Sequence, residues 1–257
     1  MALNPAITDW QGRRVWIVGA STGIGAALAR RLLALGARVA LSARKEAPLR
    51  ELAEGHAGAL VLPADVTQAA TLVSAEAAVR AAWGGIDLVV VMAGTYSAMR
   101  AWELDTAAVA STFDTNVSGI YNVLAAVQPD MLARGAGGIC IVSSVAGYRG
   151  LPNALAYGPS KAAAINLAEA LFLDLRPRGI AVYLVNPGFV ETPLTAGNEF
   201  KMPALISADE AAAHMLRGFA RGDFEMHFPK RFTGWLKLMR LLPYRLYFAA
   251  VRRITGL

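Results

Sequence analysis

The 257-residue sequence holds a single cysteine, Cys140, which leaves no internal disulfide framework to consider. Set in "GGICIVSS", it reads as a small apolar residue of a buried strand rather than a catalytic thiol. The three histidines, His56, His214 and His227, are scattered without metal-ligand spacing, so no metal site is expected. The amino-terminal stretch "MALNPAITDWQGRR" lacks the basic start and continuous apolar run of a signal peptide. No run of about 18 apolar residues free of Gly, Pro and charge occurs, so no membrane-spanning helix is expected. Acidic residues are missing altogether from the last 28 positions.

That last absence locates the charge. The net charge is +6, yet residues 1–229 hold 18 Lys and Arg against all 19 acidic residues. The body is therefore nearly neutral and the basic character belongs to the tail, which argues against a nucleic-acid partner. The chain is 55% hydrophobic and 17% charged, the composition of a folded protein with a large core. With one cysteine and no targeting signal, a cytoplasmic location fits best.

Apolar, β-rich runs alternate with Ala/Leu-rich helical stretches. "RVWIVGA" (14–20), "ARVALSA" (37–43), "ALVLPAD" (59–65), "DLVVVMA" (87–93), "GICIVSS" (138–144) and "AVYLVNP" (181–187) predict six strands. "DFEMHFPKRF" supplies a seventh. The runs are apolar throughout rather than alternating, as expected of parallel strands covered on both faces. Helices are predicted near 24–35, 68–82, 106–133 and 156–175. The pattern is that of a single-domain α/β fold, a Rossmann-type doubly wound parallel sheet with ligands at the carboxyl ends of its strands.

The first strand runs straight into "GASTGIG", with Gly19, Gly23 and Gly25. Glycines let the backbone approach a pyrophosphate, and the following helix aims its amino end at that charge. In a strand–turn–helix context this points to a dinucleotide. An acid at the end of the second strand would bind the ribose 2′-hydroxyl of NAD, whereas an Arg suits the 2′-phosphate of NADP. Here "LSARKE" offers Arg44 and Lys45 and no acid at the strand end, so NADP(H) is expected ahead of NAD(H).

Tyr157 and Lys161 lie four apart in "YGPSKAAAI", on one face if the segment is helical. Only about 0.14 such pairs are expected by chance at this composition. Ser144 precedes the tyrosine by 13 residues, with Ser143 as its rival, and Asn116 lies in "DTNVSG". A lysine ammonium nearby would favour phenolate and lower the tyrosine pKa from about 10.

Over residues 12–222 the chain resembles the short-chain dehydrogenase/reductase family, whose elements occur here in order. They are the three glycines, Asp65-Val66, Ala93-Gly94, Asn116, Ser144, Tyr157, Lys161 and "NPGFVET" (186–192). The resemblance implies a catalytic set of Asn116, Ser144, Tyr157 and Lys161 that interconverts a carbonyl and an alcohol. It also implies that Ser21 and Ile24 join the phosphate loop, and that Asp65 and Val66 flank the adenine. Ala93 and Gly94 would let the backbone pass close to the cofactor. Pro187, Gly188, Val190 and Thr192 would surround the nicotinamide, Lys161 would hold its ribose, and Asn116 would anchor a water. A homo-oligomer, dimer or tetramer, is implied too.

Two features depart from the family. Val91 and Met92 stand where two amides usually tie the central strands, which puts local sheet stabilisation in question. A basic extension replaces the usual glycine-rich ending, dividing the chain into a catalytic body, 1–229, and a tail, 230–257. In the substrate loop, about 192–212, Leu194, Phe200, Met202 and Leu205 offer an apolar lining, and "SADE" (207–210) a capping box. The expected substrate is a small, hydrophobic, lipid-derived ketone or aldehyde. A 3-oxoacyl thioester reductase and a non-catalytic NADP(H) sensor are the alternatives. Pro243 splits the tail into two short helices, 232–242 and 244–255, suited to peripheral membrane contact, subunit packing or covering the substrate.

Overall fold

A computed structural model describes residues 2–197 and 202–256. The first half runs β1 (Arg14–Val18), α1 (Gly23–Ala34), β2 (Arg38–Ser42), α2 (Ala47–Ala53), β3 (Ala59–Val61), α3 (Ala69–Trp83) and β4 (Leu88–Val91). Next come α4 (Thr106–Phe113), α5 (Gly119–Arg134), β5 (Gly137–Val142), α6 (Tyr157–Leu175) and β6 (Ile180–Pro187). The chain continues through α7 (Ala208–Arg221), β7 (Glu225–Phe228), α8 (Lys230–Arg240) and α9 (Tyr244–Thr255).

The seven strands form one parallel sheet in the order β3-β2-β1-β4-β5-β6-β7. Successive residues of β1 explain its unbroken apolar run. Val15 and Ile17 enter the core beneath α1 and α7, while Trp16 and Val18 enter the core beneath α3, α5 and α6. Both faces are dry, so neither can carry polar side chains without a partner. Ser42 has one: its hydroxyl accepts from the Trp16 indole (2.9 Å) and donates to the Leu62 carbonyl (2.6 Å).

The chain order reverses between β1 and β4, and a crevice opens there at the carboxyl edge. Val18 pairs with both Ser42 and Val91, Val91 with Ile141, and Val142 with Val185. The segments that follow these residues therefore meet along one edge.

Three elements depart from the sequence expectation. The third strand ends at Val61, because Pro63 has no N–H to give the ladder. The long helix expected over 106–133 is broken into α4 and α5 by a π-helical segment, Asp114–Ser118. The short helix α2 was not foreseen. Ser207 does form the expected capping box with Glu210. The region around Val91 and Met92 is held by packing instead of amides: Val91 is buried, and the Met92 sulfur abuts Gly25.

Candidate active site

The glycine loop is shaped by close backbone approach. A Cβ on Gly19, whose φ is +104°, would lie 2.6 Å from the Ala93 nitrogen. One on Gly25 would lie 2.1 Å from the Gly19 carbonyl oxygen. Gly23 has φ +54°, and a Cβ there would press on the Thr192 methyl at 2.9 Å. Thr22 makes no side-chain cap for α1, and no acid occupies the first turn. The first N–H groups of α1 are thus available to an anion, as a pyrophosphate requires. A cleft of about 450 Å³ runs from Ser21 and Gly23 to Arg30, Glu191 and Pro193. Ile24 turns the other way, against the core.

The Gly19 and Ala20 N–H groups donate to the Ser42 carbonyl (2.7 and 3.0 Å), joining the end of β2 to this loop. Arg44 follows two residues later, exposed, and its guanidinium makes no ion pair among the described residues. The Asp65 carboxylate is folded onto Thr67, accepting from its N–H (2.9 Å) and hydroxyl (2.8 Å). Val66 is buried under Gly119, and its carbonyl accepts from the Asn122 amide at 2.8 Å. Asn122 has no motif signal in the sequence, yet it fixes this turn.

The catalytic candidates converge beyond β4 and β5. Tyr157 is the first residue of α6, and Lys161 lies one turn further with its ammonium 5.7 Å from the tyrosine ring centre. The ammonium donates to the Val142 carbonyl at 3.1 Å. Gly94 faces this group: a Cβ there would lie 3.4 Å from the Asn116 oxygen and 3.5 Å from the Lys161 nitrogen. Asn116 is 1% exposed and sits in the π-helical segment, a distortion that recurs at functional sites. Its oxygen accepts from the Thr95 N–H (2.8 Å), and its nitrogen donates to the Thr95 carbonyl (2.9 Å) and the Ser160 hydroxyl (3.0 Å).

Ser144 and Ser143 part ways. The Ser143 side chain is buried and donates to the Lys161 carbonyl at 2.7 Å. Ser144 caps a 3₁₀ turn, Val145–Gly147, accepting from the Ala146 N–H at 3.1 Å, and its side chain meets the Tyr157 phenol. Burial pushes the Tyr157 pKa up to about 12; contact with Ser144 opposes the rise and Tyr96 adds to it. Burial lowers Lys161 to about 8. Burial dominates at the Tyr157 phenol, and the Lys161 ammonium is directed at the Val142 carbonyl. Tyr96, which the sequence did not single out, packs edge-to-face on Tyr157 with ring centres 5.1 Å apart.

On the far side of the crevice, Pro187 ends β6 opposite Phe228, and the Gly188 N–H donates to the Phe228 carbonyl at 2.8 Å. Val190 is buried and bridges to Ile206. The Thr195 hydroxyl donates to the Val190 carbonyl (2.7 Å) and accepts from the Thr192 N–H (3.2 Å), a bracing role the sequence did not reveal. Of the apolar lining expected in the substrate loop, Leu194 and Leu205 are exposed and Met202 is half-buried; Phe200 lies outside the described residues. Among the described residues no group of three or more His, Cys, Asp or Glu could hold a metal ion.

The tail is built into this region. Phe232 of α8 stacks obliquely on Phe189, ring centres 5.5 Å apart, and limits the space at Gly188. Glu225 accepts from Tyr148 (2.5 Å), Asn186 (2.9 Å) and Lys237, and burial acting against its charge is outweighed, so its pKa is lowered. Arg149 donates to the carbonyls of Met239 (3.1 Å), Arg240 (3.3 Å) and Leu242 (2.6 Å) while lying over the rings of Tyr244 and Tyr247.

Comparison with known proteins fits this geometry. The profile of the short chain dehydrogenase family matches residues 13–202. An uncharacterized oxidoreductase of Myxococcus xanthus is 39% identical over 246 residues, covering 94% of this chain and 97% of its own. A 2-(R)-hydroxypropyl-CoM dehydrogenase of Xanthobacter autotrophicus is 38% identical over 188 residues, 70% of this chain and 75% of its own. A short chain dehydrogenase structure from Burkholderia cenocepacia, in complex with NADP, superposes with a TM-score of 0.84 at 24% identity, covering 95% of this chain and 99% of that one. Its fold is the one described above. The chain belongs to the short-chain dehydrogenase/reductase family and is an oxidoreductase acting on CH–OH or C=O groups.

Proposed function

We propose that the chain is a cytoplasmic, NADPH-dependent carbonyl reductase, reversibly an alcohol dehydrogenase, for a hydrophobic, lipid-derived ketone or aldehyde. The observation that carries this is the Tyr157 phenol at the carboxyl edge of the sheet, met by Ser144 and with the Lys161 ammonium 5.7 Å from its ring centre. A protonated phenol is a proton donor that waits for a strongly basic oxygen. The cofactor, when bound, supplies hydride to the carbonyl carbon. Tyr157 then gives its proton to the substrate oxygen, and Ser144 hydrogen-bonds that oxygen as negative charge develops. Lys161 holds the nicotinamide ribose, and Asn116 fixes the backbone at Thr95 beside it.

The remaining residues fit the dinucleotide in sequence along the crevice. The backbone of Gly19, Ser21, Gly23, Ile24 and Gly25, with the start of α1, holds the pyrophosphate. Arg44 takes the 2′-phosphate, which selects NADP(H) over NAD(H). Asp65 and Val66 border the adenine, Ala93 and Gly94 pass beneath the ribose, and Pro187, Gly188, Val190 and Thr192 hold the carboxamide. Solved structures of the same fold hold either NAD or NADP, so the choice of cofactor rests on Arg44. Residues 1–229 form the catalytic body, which assembles as a dimer or tetramer. The extension at 230–257 brings that body to a membrane surface, where apolar carbonyl compounds concentrate.

A second substrate class, 3-oxoacyl thioesters, is favoured by a relative from Streptomyces coelicolor, assigned as a candidate ketoacyl reductase and 36% identical over 186 residues. NADPH consumption against steroids, retinoids, long-chain 3-keto lipids, quinones and acyl thioesters decides between them. Turnover with an apolar carbonyl is expected, falling by about 10²–10⁴ in Tyr157→Phe. Stoichiometric NADPH binding without turnover across that panel would make the protein a sensor instead.

A further inference from the structure

The inward faces of α8 and α9 are occupied. Phe232 and Leu236 pack into the body core, while Met239, Tyr247 and Val251 form a small separate cluster. On α8 the outward residues Trp235, Leu238 and Leu241 are apolar and open, whereas the outward side of α9 mixes Tyr244, Leu246 and Phe248 with Arg245, Arg252 and Arg253. Trp235, Leu238, Leu241, Tyr244, Leu246 and Phe248 are 47% to 78% exposed. Around them stand the exposed cations Lys230, Arg231, Arg240, Arg245, Arg252 and Arg253, and residues 230–257 contain no acid.

Both properties must be satisfied by one occupant. A second copy of this face would bring like charges together, since an isologous contact meets its own surface. The body, with 18 basic and 19 acidic residues, has an excess of only one negative charge to offer. An anionic lipid surface supplies both needs: phosphate charge at the rim and hydrocarbon below, with Trp and Tyr at the boundary. Length agrees. Helices of 11 and 12 residues reach about 17–18 Å at 1.5 Å per residue, well short of the ~30 Å hydrocarbon thickness, so they lie in the plane. No described helix is long and apolar enough to cross a membrane.

We propose that α8 and α9 form an interfacial docking face for membranes rich in anionic lipid, with Trp235, Leu238, Leu241 and Phe248 entering the acyl boundary and the surrounding arginines contacting headgroups. The inference rests on the proposed membrane role of the tail, but the binding it describes needs neither substrate nor cofactor.

The test is flotation of the full-length protein with vesicles of phosphatidylcholine alone, and with vesicles also containing phosphatidylglycerol. Co-flotation with the anionic vesicles only is expected. Arg245→Gln with Arg252→Gln and Arg253→Gln should weaken it on the order of a hundredfold at low salt, each cation being worth about fivefold near such a surface. Trp235→Ser with Leu238→Ser and Leu241→Ser should weaken it too, while NADPH turnover of a water-soluble ketone is unchanged and certifies the fold. No flotation, or flotation equal in wild type and both variants, overturns the proposal. So does a wild type that ignores vesicles while the apolar variant loses oligomeric mass in sedimentation, which assigns the face to a second copy of the chain. Flotation as expected with no turnover on any carbonyl keeps the docking face and removes the catalytic reading instead.

Discussion

Ser143 donates its hydroxyl to the carbonyl oxygen of Lys161 at 2.7 Å, across 18 positions of sequence. The bond ties the end of β5 to the start of the second turn of α6 and leaves Ser144 as the serine that meets Tyr157. The two alanine variants should therefore fail differently. Ser144→Ala should lower kcat by about 10²–10³, far beyond what the roughly 1 kcal/mol lost with its cap would cause. Ser143→Ala should cost roughly 1 kcal/mol of stability, with a smaller effect on kcat. Steady-state kinetics beside thermal denaturation reads both, and the opposite pattern would exchange the two roles.

Lys161 is buried and its pKa falls to about 8 from 10.5. Between these values the unfolded chain holds more protons than the folded one, so this group makes stability rise with pH from about 8 to about 10.5. Below pH 8 the full penalty of a buried charge is present. At about 1.4 kcal/mol per pKa unit, Lys161→Met should gain on the order of 3 kcal/mol at pH 7 while abolishing turnover. Urea unfolding at pH 7 and pH 10 checks the sign: the gain should shrink at the higher pH.

Arg44 should govern cofactor choice. Arg44→Asp replaces a phosphate partner with an acid suited to a ribose hydroxyl, so kcat/KM for NADPH relative to NADH should fall at least tenfold. An unchanged ratio would mean that the 2′-phosphate is held elsewhere or not at all.

Arg149 should govern the tail. Arg149→Met keeps the stem but removes three carbonyl contacts and the charge over two tyrosine rings. A loss of roughly 1–2 kcal/mol is expected, with faster proteolytic cleavage near Pro243. An unaltered cleavage rate would show the clamp to be inert.

What could be read from residues alone was whatever local chemistry dictates. The apolar runs gave the parallel strands because both faces are buried, and the glycines marked the loop because no Cβ fits at Gly19 or Gly25. Ser207 announced its helix through a cap that acts over three residues. The rest depended on contacts between distant segments. The π-helical turn at Asn116 has no sequence signal, since what supports it, Thr95 and Ser160, lies 21 and 44 positions away. Tyr96 and Asn122 belong to no motif, and tertiary packing alone brings them to the site. The pKa of Tyr157 followed burial, which no spacing encodes.

Arg149 stands five residues beyond Ser144, on the far side of a single 3₁₀ turn. The extension is consequently not a detachable module. A tail grafted from a relative would have to present its own carbonyls and rings to position 149, or leave a guanidinium without partners five residues from Ser144. Exchange of tails among such enzymes should succeed only when the loop at 145–150 travels with them.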